Sequence, residues 1–346
     1  MSTAEAAART APRTVMVTGA NGFLASHIVR QLLERGHSVR ACVRDASKVD
    51  RVGHLLRLPR ADERLELFST GDLADCGGKF DEPMDGCDAV FHAATPLSPK
   101  FDGEFDGERD ILNPAMVSTR EILDCIERHS DTVRCVVLTS SMSAVAPRPE
   151  PPVKDESHWS DADAQRSRGN WYGCAKTSQE RLVEKWAEEA KSAGRVREVF
   201  RFVAVCPTMV IGPVLNAQKD VAGTMGNFLR CFKGGMSEAP NDSMSFIHVD
   251  DCAAMHVAGM ESAGAGGRYM SLIDSWHWNE ILEVMKELYP SLPDYTPYQG
   301  SDKVVATQFN LDKMNSLGVQ VRSIRETMQD SLQYLIEVGA LDPPGE

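Results

Sequence analysis

The chain has no run of about 18 consecutive apolar residues, so no segment is expected to cross a bilayer as a helix. It is poor in positive charge. Lys and Arg number 37 against 50 Asp and Glu, a formal net charge of −13. That balance excludes nucleic acid and anionic membrane surfaces as main partners, and any anionic cofactor must find local cations. Nine cysteines are present, but no two stand as C-x-x-C and none has metal-ligand spacing, so no metal site and no disulfide framework are expected. Cys135 and Cys206 lie inside apolar runs and read as small core hydrophobes. No secretory apolar core precedes them, so a reducing, cytoplasmic compartment is expected. Repeats and low-complexity tracts are missing too. What remains is ordinary for a soluble globular protein: 42% hydrophobic and 25% charged residues in 346, enough for one large core or two fused smaller ones.

What is present is organised around residues 14–25, TVMVTGANGFLA. Val15, Met16 and Val17 form the continuous apolar run of a strand buried on both faces. Gly19 permits a sharp turn, and Gly22 leaves no Cβ where a diphosphate must approach the backbone. The helix that follows would aim free N–H groups and its dipole at that diphosphate. The pattern is G-x-x-G-x-x-G with Ala25 in the third place, where a small residue suffices for close helix–strand packing.

Downstream, strands and helices alternate. A helix is expected over 23–35, with Ile28, Leu32 and Leu33 inward and Gly36 closing it. Strands are expected at 38–43, 65–69, 88–92, 133–138 and 199–206, with helices at 110–128 and 171–193 and a surface loop at 147–163. This order implies an α/β fold, a Rossmann-type doubly wound parallel sheet with right-handed crossovers. Past Pro213 the alternation lapses into strands at 245–249 and 268–272 and helices at 250–260, 278–288 and 323–338. The expected organisation is a disordered tail over 1–13, a dinucleotide-binding domain over 14–210, and a smaller mixed α/β lobe over 211–346, mainly substrate-binding, with some segments returning to the sheet.

WYGCAK, residues 171–176, places Tyr172 and Lys176 four apart at a helix start, so both project from one face. A phenol with a pKa near ~10 is a poor acid at neutral pH, and an ammonium one turn away should bring that value down. Alone, such a pair is also an ordinary solvated helix pair. Ser141 stands where a strand ends, at the carboxyl edge of the sheet, where its hydroxyl could steady a developing alkoxide; equally, Thr139, Ser140 and Ser141 could merely finish a strand. At the end of the second strand Arg44 precedes Asp45. A guanidinium there suits a ribose 2′-phosphate, with Lys48 assisting, and favours NADPH over NADH.

Taken in order, TGANGFLA, VRD, GDL, FHAATP, TSS, WYGCAK, CPTMVIGP and FIHVDD resemble the extended short-chain dehydrogenase/reductase superfamily. Within it the chain is similar to the group of dihydroflavonol reductases, cinnamoyl-CoA reductases and fungal aldehyde and methylglyoxal reductases, over nearly its whole length. The resemblance implies Ser141, Tyr172 and Lys176 as the catalytic set, with Tyr172 protonating a carbonyl oxygen and Lys176 holding the ribose hydroxyls. It implies cofactor contacts at Gly19, Asn21, Gly22, Phe23 and Leu24, at Asp72 and Leu73, at Ala93, Ala94 and Thr95, at Thr139, and at Pro207, Thr208 and Val210. Met142, Met209, Met225 and Phe228 are candidate pocket liners, adaptable enough for a broad range of substrates.

The departures from the group bear on substrate. Where dihydroflavonol reductases carry a hydroxyl-reading Asn, this chain has Ala146. The CoA-handling His and Lys of cinnamoyl-CoA reductases fall on Asn227 and Arg230, and a further Arg on Asp250. The expectation is therefore an NADPH-dependent reductase of a small to medium aldehyde or ketone, or the reverse alcohol oxidation, working as monomer or homodimer. The alternatives are a cinnamoyl-CoA or dihydroflavonol reductase, an NAD-dependent epimerase, dehydratase or steroid dehydrogenase, and a non-enzymatic NADP sensor.

Overall fold

A computed structural model describes residues 11–96, 105–216 and 221–344. Most of the expected tail, residues 1–10, lies outside the described residues, but Arg13 is no part of a loose tail. Its guanidinium donates to the Met260 carbonyl at 2.7 Å.

The first strand, β1 (Thr14–Thr18), runs through the glycine turn into α1 (Phe23–Glu34) and β2 (Ser38–Val43). Two short helices, α2 (Val49–Leu56) and α3 (Ala61–Arg64), lead to β3 (Leu65–Ser69), and α4 (Asp81–Met84) leads to β4 (Ala89–His92). A π-turn at Glu108–Leu112 opens α5 (Asn113–Arg128), so the helix expected from 110 changes winding before it settles. Pro114 stands in its first turn, where a missing N–H costs nothing. Next come β5 (Cys135–Thr139), β6 (Val153–Lys154), α6 (Ala162–Ser167), α7 (Trp171–Ser192), β7 (Arg201–Pro207) and β8 (Met209–Ile211). The C-terminal part holds α8 (Gly223–Phe232), β9 (Ser243–His248), α9 (Val249–Glu261), β10 (Gly267–Ser271), β11 (Ser275–His277), α10 (Trp278–Leu288), β12 (Gln308–Phe309), α11 (Asp312–Asn315) and α12 (Ile324–Glu337).

Seven parallel strands form the main sheet in the order β10-β7-β5-β4-β1-β2-β3. The order reverses between β1 and β4, and the glycine turn leaves the sheet at that crevice, where open α/β sheets bind ligands. Strand alternation sends Val15 and Val17 to a core layer with Ile28, Leu32 and Cys252 of α1 and α9. Met16, Val90 and Val136 go to the opposite layer, with Ile122, Ile126 and Val183 of α5 and α7.

The doubly wound parallel sheet is as expected, and the segment after residue 210 that returns to it can now be named. Segment 249–271 returns to the nucleotide-binding half, α9 packing beside α1 and β10 forming the sheet edge. The remaining lobe has its own core, built around Phe228, Phe232, Phe246, Trp278 and Leu335, with a three-stranded sheet β11-β9-β8. The loop expected over 147–163 contains β6, which pairs with β12.

Candidate active site

The cofactor cradle is built from backbone geometry. Gly19 sits at φ +62°, and a Cβ there would lie 3.1 Å from Ala94 Cα and Cβ. A Cβ on Gly22 would meet the Gly19 carbonyl at 3.1 Å. Gly22 is also the N-cap of α1, with no side chain bonded to the helix end and no acid in the first turn. Its leading N–H groups and dipole therefore suit an anion, which fits a diphosphate.

Opposite this turn, the Thr18 hydroxyl accepts the N–H groups of Ala93 and Ala94, both at 3.1 Å. It faces His92 Nδ1 at 3.0 Å, and His92 Nε2 faces the Thr119 hydroxyl at 3.1 Å. Burial, and after it Lys176, holds His92 down to about 3, so it is a neutral hydrogen-bonding strut. Thr18, His92 and Thr119 shape the Ala93–Thr95 turn, and local pattern could not reveal this because they come from three elements.

At the end of β2, Arg44 and Lys48 are both exposed. Asp45 is turned onto Ser47, accepting its N–H at 3.0 Å and its hydroxyl at 2.6 Å. The carboxylate is thus occupied locally, and the guanidinium is the group presented at the strand end. Asp72 and Leu73 are half-buried on the neighbouring turn after β3, and the Asp72 carboxylate accepts the Ala74 N–H at 2.8 Å. Asn21, Phe23 and Leu24 are half-buried at the start of α1.

The Ser–Tyr–Lys set does come together. Ser141 caps a single 3-10 turn, Met142–Ala144, its hydroxyl accepting the Ser143 N–H at 3.1 Å, and it stands near enough to the Tyr172 phenol to oppose the rise that burial imposes on it. Asn170 caps α7 by accepting the Gly173 N–H at 3.0 Å, which fixes where Tyr172 and Lys176 emerge. Lys176 Nζ donates to the Thr95 hydroxyl at 2.7 Å and to the Thr139 carbonyl at 2.6 Å, and lies 5.9 Å from the centre of the Tyr172 ring. Thr139 is held in turn by its hydroxyl, 2.9 Å from Nε2 of buried His256.

Burial governs both titrating groups. It pushes the Tyr172 phenol up, opposed by the Ser141 hydroxyl. It pulls the Lys176 ammonium down to about 7, opposed by Glu180 and Cys206. The expectation that Lys176 would lower the phenol is therefore corrected. Burial raises the phenol, and Ser141, rather than Lys176, is the group that opposes it.

Pocket liners divide. Met142 and Met209 are half-buried at the mouth of β5 and at the start of β8. Met225 and Phe228 are fully buried in the lobe core, Phe228 edge-to-face with Phe232 at 5.0 Å and Met225 sulfur accepting the Gly212 N–H at 3.3 Å. They are core residues rather than liners: the apolar stripe of α8 faces the lobe interior. Pro207 and Val210 are buried, and Thr208 gives its hydroxyl to the Ser245 carbonyl at 2.8 Å. Away from the cleft, Asp81, Cys125 and His129 bring ligand-type atoms within 4.8 Å of one another, but Arg128 already holds both Asp81 oxygens, at 2.7 and 2.9 Å.

A nucleotide cradle at the switch point with a Ser–Tyr–Lys set beside it is the layout of a short-chain oxidoreductase. The NAD dependent epimerase/dehydratase family matches residues 15–271. The cinnamoyl-CoA reductase CAD2 of Medicago truncatula is 34% identical over 333 residues, covering 93% of this chain and 95% of that protein. The bifunctional dihydroflavonol 4-reductase/flavanone 4-reductase of Malus domestica is 33% identical over 320 residues, covering 91% and 88%. Among solved structures, yeast methylglyoxal/isovaleraldehyde reductase Gre2 complexed with NADPH superposes with a TM-score of 0.80 at 24% identity, over 95% of this chain and all of that one. The chain belongs to the NAD dependent epimerase/dehydratase family, the extended short-chain dehydrogenases/reductases, and with its reductase relatives it is an oxidoreductase.

Proposed function

We propose that the protein reduces the carbonyl of a small to medium aldehyde or ketone with NADPH. The observation that carries this reading is the convergence of Ser141, Tyr172 and Lys176 at the carboxyl edge of the sheet, beside the glycine cradle. NADPH, when bound, supplies the reducing hydride. Gly19, Gly22 and the start of α1 would hold its diphosphate, Arg44 and Lys48 its 2′-phosphate, and Lys176 its nicotinamide ribose. An NADPH complex is described for the yeast structural relative, which supports the choice.

The chain's own part is proton delivery. A phenol kept up by burial stays protonated at neutral pH, the form needed to donate from Tyr172 Oη to the carbonyl oxygen. The Ser141 hydroxyl donates to that same oxygen and stabilises its growing charge. The Lys176 ammonium then balances the phenolate left behind.

Two features favour a free carbonyl over a CoA thioester or a flavonoid. Asn227 is uncharged and Asp250 is an acid engaged by His27 and Arg30, so two of the three positions offer no cation for a CoA phosphate, and only the exposed Arg230 remains. Ala146 has no group to read a flavonoid hydroxyl. The test is NADPH consumption with methylglyoxal, aromatic aldehydes, β-keto esters, a dihydroflavonol and a cinnamoyl-CoA. Turnover of the free carbonyls, lowered about 10²–10⁴-fold by Tyr172→Phe with NADPH binding retained, is expected. Turnover confined to the thioester or flavonoid, or unchanged in Tyr172→Phe, would overturn the reading.

A further inference from the structure

Glu180 stands one helical turn past Lys176 on α7 and is completely buried. Its Oε2 accepts the Ser140 hydroxyl and its Oε1 accepts Arg268 Nε at 2.5 Å. Arg268, on β10 and itself 4% exposed, gives its other N–H groups to main-chain carbonyls: Ala144 at 2.9 Å, Glu156 at 2.8 Å and His158 at 2.5 Å. Its guanidinium also lies 3.6 Å from the Trp159 ring centre. A buried ion pair is poor evidence for stability, because well-packed apolar residues serve as well or better. The contacts of this pair converge on the reacting groups. Ser140 adjoins Ser141; Ala144 closes the turn that Ser141 opens, its N–H donating to the Ser141 carbonyl at 2.9 Å; and α7 carries both Tyr172 and Lys176.

We propose that Glu180 and Arg268 are positioning residues of the reduction: Arg268 clamps the Ser141 turn against α7, and Glu180 supplies the negative charge that keeps Lys176 an ammonium. The groups facing Lys176 are few. His92 on β4 and His256 on α9 are held neutral by burial, at about 3 and about 4. The Cys206 thiol on β7 is pushed well above its ordinary range by burial, then by Glu180. On α7 itself are Tyr172 and Glu180, and on β10 Arg268, which spends its charge on Glu180. Glu180 is the foremost group opposing the loss of the Lys176 proton.

The inference rests on the reductase reading, so the test has a readout independent of turnover. NADPH binding, followed by its fluorescence, and kcat are measured from pH 5.5 to 10 for the wild type, Glu180→Gln and Arg268→Lys. Glutamine keeps one acceptor oxygen for Arg268, turns its NH2 toward the Ser140 hydroxyl oxygen, and removes the charge. The alkaline limb of both profiles should move down by about one pH unit, which is about tenfold above the limb. Arg268→Lys keeps the charge but loses the fork. It should lower kcat several-fold with KM for NADPH and the limb unchanged. If Glu180→Gln does not fold because Arg268 is left unpaired, Glu180→Gln/Arg268→Met removes both charges and carries the same expected limb shift. An unmoved limb in a folded Glu180 variant, or an unchanged kcat in folded Arg268→Lys, overturns the proposal. An NADPH-binding wild type that turns over no carbonyl overturns the reductase reading instead, and the binding limb still decides the role of Glu180.

Discussion

At the residue scale, the site is governed by what burial does to charge. Tyr172 and Lys176 are pushed in opposite directions by the same loss of water, the phenol up and the ammonium down to about 7. The lysine is therefore kept at a cost to the fold. An unfolded Lys titrates near ~10.4. Below pH 7 both states carry the proton and the cost of the buried charge is fully present; between about 7 and 10.4 the unfolded state binds more protons, so stability rises with pH. Lys176→Met should accordingly raise the Tm of the cofactor-free protein at pH 6 by about 2–4 °C, with the gain shrinking toward pH 10, while abolishing turnover. Thermal scans at the two pH values check it, and a lower Tm at pH 6 would sink the idea. Under the proposed function, Arg44 is the second residue with a separable role. Removing a charge-assisted contact to a 2′-phosphate costs about 1.5–3 kcal/mol. Arg44→Ala should thus lower kcat/KM for NADPH about 10–100-fold and leave NADH little affected, as read from parallel initial rates.

At the scale of elements, the cradle depends on a strand, a turn and a helix meeting without side chains between them. Gly19 has φ +62°, a region that costs an L-residue about 1–2 kcal/mol, and its would-be Cβ presses on Ala94 at 3.1 Å. Gly19→Ala should lower Tm and weaken NADPH binding at least about tenfold. Its near-identity in hydrophobicity makes the effect one of geometry, and titration by NADPH fluorescence measures it. Helix α7 has the same directness of construction. Asn170 sets its first turn, Trp186 and Val183 bury its inner face, and the Trp186 indole donates to Glu127 of α5 at 2.7 Å. Leu182 is half-buried at the margin of that layer.

Across the whole molecule, Asp250 ties α9 to α1 within the nucleotide-binding half and holds His27, which reaches on to the lobe. It lies 2.5 Å from His27 and 2.5 Å from Arg30, both on α1, and Gln31 donates to its carbonyl at 2.7 Å. His27 Nε2 reaches the Pro213 carbonyl at 2.9 Å, just after β8. Burial alone would push the Asp250 carboxyl up. The His27 hydrogen bond and the nearby positive charges outweigh it and hold the group well below the usual carboxylate range. Its stabilising effect is thus present above the ordinary Asp value near ~3.9 and is lost as pH falls through the lowered one. Asp250→Asn should cost about 1–2 kcal/mol at pH 7, with the gap from wild type closing as the pH is lowered below ~4. Urea melts at the two pH values measure it, and a gap independent of pH would count against the latch.

The sequence by itself determined the sheet, the glycine turn and the spacing of Tyr172 and Lys176. Each is written in local pattern: continuous apolar strands buried on both faces, glycines at fixed offsets in a turn, and two side chains one helical turn apart. Tertiary structure alone decided the rest. Residues 249–271 rejoin the first domain because β10 finds the free edge of β7, a pairing across 64 positions between Val203 and Gly267. Met225 and Phe228 leave the cleft because the lobe core claims their helix face. Glu180 meets Arg268 across 88 residues, with nothing in the neighbourhood of either to announce the other. Even the shift on Tyr172 reverses, since spacing shows which charge stands nearby but not how much water is left around it.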